Sequence, residues 1–412
     1  MTAQRRPCHV TVTDSSPAAG RMEALATADG RPEVLLLTVD AGGGHRAAAN
    51  ALLAARDEKG CPWRFRVANL QKVLAPLDIV KRTTGLSLEE GYNLVLRHRW
   101  TALLGPLLRL LHLAITFRRR ALVAAFVRYL AADPPAAVLS VVPNFNGVVR
   151  DAVRAACPGV PVLVLLTDLA DFPPRFWIEP GLDRVIVATE RARAQARAIG
   201  LADDGIATVS GMVLHPRFYA TSARDARDRV REELGLRPPD FTVLLLFGGK
   251  GSPEMEPLAR ALLERAPRWQ VIALCGQNPG LLARLEALAA NAGGRLRPFG
   301  FSQRVADYMA AADLLVTKPG PGSLAEAFAV RLPVVVTRNR HTIPQERFNT
   351  DLVAERGLGV VVSNWREIPR AVQRLADEPG ALDRLRANLE ALPENRAVYE
   401  VIGIIGAAVG RG

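Results

Sequence analysis

Twice along this chain a run of aliphatic residues ends in a cluster of glycines and passes straight into helical sequence. The first run is Val34 to Val39, followed by Asp40, Gly42-Gly43-Gly44 and an alanine-rich stretch from Arg46 to Arg56. The second is Thr242 to Phe247, followed by Gly248-Gly249-Lys250-Gly251. A continuous apolar run reads as a strand buried on both faces, which requires a sheet covered by helices. Similar runs recur at Phe65 to Ala68, Ala137 to Val142, Val160 to Leu166 and Arg184 to Ala188. In the second half they recur at Gln270 to Cys275, Arg295 to Phe299, Asp313 to Val316, Val334 to Val336 and Gly359 to Val362. Strands alternating with helices predict parallel sheets. The expected fold class is therefore α/β, with two Rossmann-like domains facing a central cleft and a ligand at the carboxyl ends of the strands.

Length and punctuation place the boundaries. The 412 residues suit two domains, and 49% hydrophobic content with 23% charged excludes a disordered chain. Residues 1–32 are polar and aperiodic, which predicts a flexible lead-in. Residues 33–214 form the expected first domain. A charged helix from Asp225 to Leu234 and the Pro238-Pro239 break open the second, over 215–395. Residues 396–412 read as a C-terminal helix free to return to the first domain. Cys8, Cys61, Cys157 and Cys275 are scattered, so neither a zinc site nor a disulfide framework is indicated and a reducing compartment fits. The first 32 residues contain no apolar run of signal-peptide length and no stretch reaches 18 uncharged apolar residues, so neither export nor a membrane span is expected.

The charge is strongly basic, with 53 Lys plus Arg against 41 Asp plus Glu, a net +12. Such a balance points to an anionic partner: nucleic acid, phospholipid or a phosphorylated substrate. It is uneven. Residues 81–130 carry nine basic and two acidic residues, a local +7, among Tyr92, Trp100, Phe117, Phe126, Tyr129 and many leucines. Basic residues mixed with aromatic and aliphatic ones on helical sequence suit an interfacial surface for anionic lipid, with Trp100, Arg118, Arg119 and Arg120 as its contacts. A helical pair packed on the sheet, with arginines as its solvated face, accounts for the same residues. No nucleic-acid motif is present, and a nucleic-acid partner is not expected.

The glycine loops carry the chemistry. Gly42-Gly43-Gly44-His45-Arg46-Ala47 satisfies the GxGxxA dinucleotide pattern, yet Asn69 stands where a ribose-binding acid belongs at the end of the second strand. A nicotinamide or flavin enzyme is disfavoured. Asp40 and His45 flank that loop as two candidate proton acceptors. Thr317-Lys318-Pro319-Gly320-Pro321-Gly322-Ser323 precedes a helix containing Glu326, which leaves backbone N–H groups and a positive helix end for an anion such as a diphosphate. Gly248-Gly249-Lys250-Gly251-Ser252 is not a Walker loop, and its glycines suit close backbone approach to a ligand. No Asp-x-Asp pair is placed to hold a metal, so neither a metal nor a cofactor is expected.

These motifs together resemble one family. Asp-Ala-Gly-Gly-Gly-His-Arg-Ala-Ala-Ala at 40–49, Thr167-Asp168 leading to Trp177, Cys-Gly-Gln-Asn at 275–278, Lys-Pro-Gly-Pro-Gly-Ser-Leu-Ala-Glu-Ala at 318–327 and Gln345-Glu346 with Asn349 look like the monogalactosyldiacylglycerol synthases of glycosyltransferase family 28. The resemblance spans about residues 33–390 and implies a GT-B fold. It implies inverting transfer of a hexose, most directly galactose, from a UDP-sugar substrate to diacylglycerol at the inner, cytoplasmic face of a membrane bearing anionic lipids. In its terms Glu326 holds the ribose, and Gly320, Gly322 and Ser323 cradle the diphosphate beside Lys318. Phe299, Gly300 and Phe301 meet uracil, Gly248 and Gly249 approach the donor, and Gln345, Glu346 and Asn349 serve the sugar. Asp40 or His45 is the base, while Gly43, Gly44, Asp168 and Trp177 belong to the acceptor side. Arg347-Phe348 and Met212-Val213-Leu214 depart from the family pattern. Glucosyl or N-acetylglucosaminyl transfer to another lipid and UDP-sugar 2-epimerisation are the alternatives.

Overall fold

The structure is a computed structural model that describes residues 30–40, 43–74, 104–219, 227–340 and 342–410. The first half forms β1 (Glu33–Thr38), β2 (Arg64–Asn69), β3 (Ala137–Ser140), β4 (Val162–Leu165), β5 (Arg184–Val187) and β6 (Ile206–Thr208). The second half forms β7 (Thr242–Leu246), β8 (Gln270–Leu274), β9 (Leu296–Phe299), β10 (Leu314–Thr317), β11 (Val334–Thr337) and β12 (Gly359–Val362). All pairings are parallel. Each expected strand is present with its ends shifted by at most two residues; β6 was not expected. Its three residues, Ile-Ala-Thr, are too few to show a period, and only pairing to β5 defines them.

Strand order decides where a ligand can lie. The first sheet runs β2-β1-β3-β4-β5-β6 and the second β12-β11-β10-β7-β8-β9. The chain reverses direction across each sheet between β1 and β3, and between β7 and β10. At such switch points the loops leaving adjacent strands diverge and open a crevice at the carboxyl edge. The glycines after β1, and the two loops after β7 and β10, are the ones at these crevices.

The local chemistry follows the same plan. Gly43, at φ 87°, turns the chain out of β1 in the left-handed conformation that favours glycine, and the helix Gly44–Lys59 then buries Ala48, Ala49, Ala51, Leu52 and Ala55. On that same core lies the last helix, Ala397–Val409, whose Ala397, Val398, Val401, Ile402, Ile405 and Ala408 pack with Val34, Leu36, Leu52 and Trp63 of the first lobe. The chain joins the core of the second lobe from Met212 and Leu214 onward, and Phe218 there clusters with Val230, Leu236, Leu244 and Ile272.

Beneath the second sheet Arg231 is almost wholly buried, 1% exposed. Its guanidinium donates to the Ala311 carbonyl and to Asp313 Oδ2, each at 2.8 Å, and to the Asp240 carbonyl at 3.1 Å. Burial works against the Asp313 charge, but Arg227, the Thr242 N–H and Arg231 outweigh it and hold this carboxyl below the usual carboxylate range.

Residues 1–29 of the expected lead-in and residues 81–103, Trp100 included, lie outside the described residues. From Leu104 to Ala132 the basic segment is a single helix. Ile115, Leu122, Phe126 and Leu130 face the first core. Leu110, Leu113 and Phe117, at i, i+3 and i+7, form an outward stripe, with Phe117 89% exposed.

Candidate functional site

At the second crevice the donor-side residues converge. The helix Pro321–Ala329 begins after Gly320 with no side-chain cap and no acid in its first turn. Pro321 has no N–H to offer, so the amides of Gly322 and Ser323 head the helix, ahead of the first intrahelical bond, from the Leu324 N–H to the Gly320 carbonyl. A Cβ on Gly322 would meet nothing within 4 Å, so this end of the helix is open. Uncapped amides at a positive helix end, with Lys318 beside them, match an anion.

Lys318 is fixed from three sides. Its Nζ lies 3.4 Å from Glu346 Oε1. A Cβ on Gly248 would come within 3.4 Å of its Cε, and one on Gly320 within 3.5 Å. The loop after β8 presses closer still: a Cβ on Gly276 would lie 2.3 Å from the Gly249 carbonyl oxygen, which also accepts the Gln277 N–H at 2.8 Å. Glycine at 276 is therefore obligatory, and this packing sets the Gly248-Gly249 turn.

Glu326, one turn into the helix, has its carboxyl pushed up to about 7 by burial, an effect that the Arg217 charge only partly offsets. On the neighbouring helix Pro344–Glu355, Gln345, Glu346 and Asn349 are buried. Asn349 Nδ2 donates to the Pro319 carbonyl at 2.8 Å, tying this helix to the loop that precedes Pro321–Ala329. Gln345 Oε1 and Asn349 Oδ1 are buried without a hydrogen-bond partner among the described residues. Such atoms carry a desolvation cost unless a ligand supplies a donor. Phe299 stacks on Tyr308 at 4.9 Å between ring centroids, and its carbonyl accepts the Cys275 N–H. Its ring is thus committed to the core, leaving the Gly300 backbone and the exposed Phe301 as the open part of that stretch.

On the first lobe Asp40 lies two residues beyond β1, where Arg46 donates to its Oδ1 and Asn69 Nδ2 to its Oδ2. His45, on the first turn of the following helix, has Nδ1 3.1 Å from Thr167 Oγ1. Burial lowers its imidazole to about 4, with a hydrogen bond to the Val141 backbone pulling the other way, so the ring is neutral at pH 7. Gly43 and Gly44 are exposed beside it.

Asp168 leaves β4 and accepts the Trp177 indole N–H on Oδ2 at 2.8 Å. Burial raises its carboxyl to about 6; Trp177 lowers it, while Glu346 of the opposite lobe and Asp171 raise it. Trp177 was expected on the acceptor or membrane side, but it is wholly buried, and its indole N–H is spent on Asp168. A buried scaffold holds it, and sequence reasoning missed this. The Trp177 N–H donates to Asp171 Oδ1 at 2.6 Å, and its carbonyl accepts Asn146 Nδ2, whose Oδ1 takes the Ser140 hydroxyl. The one signal in the sequence was Asp171 following Asp168 by three residues at a strand end.

The arginine trio also divides. Arg118 and Arg120 are exposed, whereas Arg119 turns inward and donates to Asp151 Oδ2 at 2.7 Å. Its charge is already matched, which removes it from a lipid-facing set.

The Glycosyltransferase family 28 C-terminal domain matches residues 243–385, the stretch that contains the loop at 318–322 and the helices on either side of Val334–Thr337. The probable monogalactosyldiacylglycerol synthase 2, chloroplastic, of Oryza sativa subsp. japonica is 31% identical over 390 residues, covering 90% of this chain and 79% of the rice protein. The chain belongs to the monogalactosyldiacylglycerol synthase family. Another family member, monogalactosyldiacylglycerol synthase 2, chloroplastic, of Arabidopsis thaliana, is 28% identical over 397 residues, with 90% and 79% covered. Among solved structures, MurG of Acinetobacter baumannii aligns with a TM-score of 0.58 at 14% identity, covering 91% of this chain and 99% of that one. At that identity the likeness speaks for fold alone, and the fold is the expected GT-B α/β arrangement. As a member of the monogalactosyldiacylglycerol synthase family the chain is a glycosyltransferase.

Proposed function

We propose that this protein transfers a hexose, galactose in the first instance, from a UDP-sugar to the free hydroxyl of 1,2-diacylglycerol at a membrane surface. The observation that carries the reading is the second crevice, where uncapped amides, Lys318 and the unpartnered Gln345 Oε1 and Asn349 Oδ1 meet in a chain whose relatives are named for this reaction. The Gly322 and Ser323 amides and Lys318 receive the diphosphate. They stabilise the charge that builds on it as the sugar departs, from donors already fixed in place. Glu326 in its ionised form accepts the ribose hydroxyls, and Gln345 with Glu346 orients the sugar. Inversion at the anomeric carbon is part of this reading, as the family resemblance implies.

The stripe Leu110, Leu113 and Phe117 with Arg118 and Arg120 supports a lipid-facing role for the helix Leu104–Ala132: apolar groups enter the acyl boundary and arginines meet phosphate. Among the described residues no helix is long and apolar enough to cross a membrane, which is compatible with peripheral attachment.

The test is incubation of purified protein with diacylglycerol in anionic vesicles and labelled UDP-galactose or UDP-glucose in parallel. Label is expected in a monoglycosyl lipid, with galactose the better donor. Label in neither lipid, with UDP-sugar still bound, overturns the acceptor assignment.

A further inference from the structure

Transfer of this kind needs a group that takes the proton from the attacking hydroxyl, and the first lobe presents three side chains at its carboxyl edge. Asp40 has both oxygens engaged, Oδ1 by Arg46 and Oδ2 by Asn69 Nδ2. His45 has had its imidazole lowered to about 4, which makes it a feeble base at neutral pH. Asp168 differs from both. Its Oδ2 is anchored by the Trp177 indole, and no hydrogen bond from a described residue engages its Oδ1. The anchor is rigid, because Trp177 is buried and held through Asp171 and Asn146. Among charged groups it is Glu346, the partner of Lys318 at the donor crevice, that acts on Asp168 from across the cleft.

We propose, resting on the transfer reading above, that Asp168 is the proton acceptor of the reaction. Its Oδ1 takes the proton of the acceptor hydroxyl as that oxygen forms its bond to the anomeric carbon. The bond from that carbon to the diphosphate oxygen breaks, and its electron pair leaves with UDP, whose charge meets Lys318 and the Gly322 and Ser323 amides. Asp168 then releases the proton to water as product departs. Glu346 and Asp171 oppose its ionisation and the Trp177 N–H favours it; His45, linked through Thr167, is neutral and adds no charge. The balance leaves Asp168 ionised at pH 7, yet more basic than an exposed carboxylate.

The Asp168→Asn variant tests this, because an amide oxygen still accepts the Trp177 N–H while the site can no longer take a proton. The expected result is a fall in kcat of about 10²–10⁴, with UDP affinity and melting temperature as in the wild type. Retention of more than about a tenth of wild-type kcat overturns the proposal, since general-base removal costs at least about 10². Trp177→Phe removes the bond that favours ionisation and is expected to move the acid limb of kcat/KM to higher pH. An unmoved limb overturns the proposal even where Asp168→Asn fails to fold. Failure of the wild-type protein itself to glycosylate diacylglycerol defeats the transfer reading instead, before any variant is compared.

Discussion

Glu326 shows how a single residue sets a pH dependence. Burial raises its folded pKa to about 7, above the roughly 4.3 of an unfolded glutamate. The folded state therefore binds this proton more tightly, and the stabilisation so gained is fully present below about 4.3 and lost as pH rises to about 7. Ligand binding runs the other way, because only the carboxylate can accept two ribose hydroxyls. Calorimetric UDP affinity is expected to rise between pH 6 and pH 8, by up to about tenfold per pH unit below the pKa. Glu326→Gln should weaken binding and remove its share of that slope. A variant with wild-type affinity and slope would sink the ribose assignment. The place of Glu326 on the helix after the glycine loop was legible in the sequence because helix and glycine signals are local. The Trp177 scaffold was not: Ser140, Asn146, Asp171 and Trp177 meet only once β3 and β4 are side by side.

At the scale of elements the helix Leu104–Ala132 makes the same point from packing. Its sequence is apolar nearly all round, so periodicity could not say which face is covered. The structure buries Ile115, Leu122, Phe126 and Leu130 and leaves Leu110, Leu113 and Phe117 outside. The two readings of this segment thus divide a single helix between them, one face packed on the sheet and the other open. Replacing Phe117 by Ser together with Arg118 and Arg120 by Gln is expected to reduce sedimentation with anionic vesicles, in part reversibly by salt, without changing the melting temperature. Arg119→Gln should do the reverse, leaving vesicle binding intact while Asp151 loses a charged partner, at a cost of about 1 kcal/mol for a half-exposed pair. If the outer variant binds vesicles as well as wild type, the stripe has another role. The glycine turns were readable to the residue because φ above zero leaves few alternatives to glycine. The facing of a uniformly apolar helix depends on what lies under it.

Across the whole molecule the two lobes are joined by crossings that run side by side. The Ser210 N–H donates to Glu400 Oε2, and Ser210 Oγ accepts the Arg396 N–H, both at 2.7 Å. Asn395 Nδ2 donates to the Met212 carbonyl and its Oδ1 accepts the Ala397 N–H, both at 2.9 Å. Gly211 leaves no room between them: a Cβ there would lie 2.7 Å from Asn395 Cγ. Stitched in this way, the outgoing and returning chains are expected to bend as one hinge, so that the lobes approach without sliding. Closure matters because donor residues lie on one lobe and Asp168 on the other, and an open cleft would let water replace the acceptor. Binding of UDP should slow amide exchange at Gly322 and Ser323 directly, and at Thr167 and Asp168 only as the lobes close. Asn395→Ala removes the stitch to the Met212 carbonyl together with the local bond to the Ala397 N–H, with an expected loss of about 1–3 kcal/mol from the unpaired groups. It should preserve the slowing at Gly322 and Ser323 while diminishing it at Thr167 and Asp168, with kcat falling more than UDP affinity. Equal protection on both lobes in wild type and variant would mean that the crossings only connect the lobes and do not guide their closure.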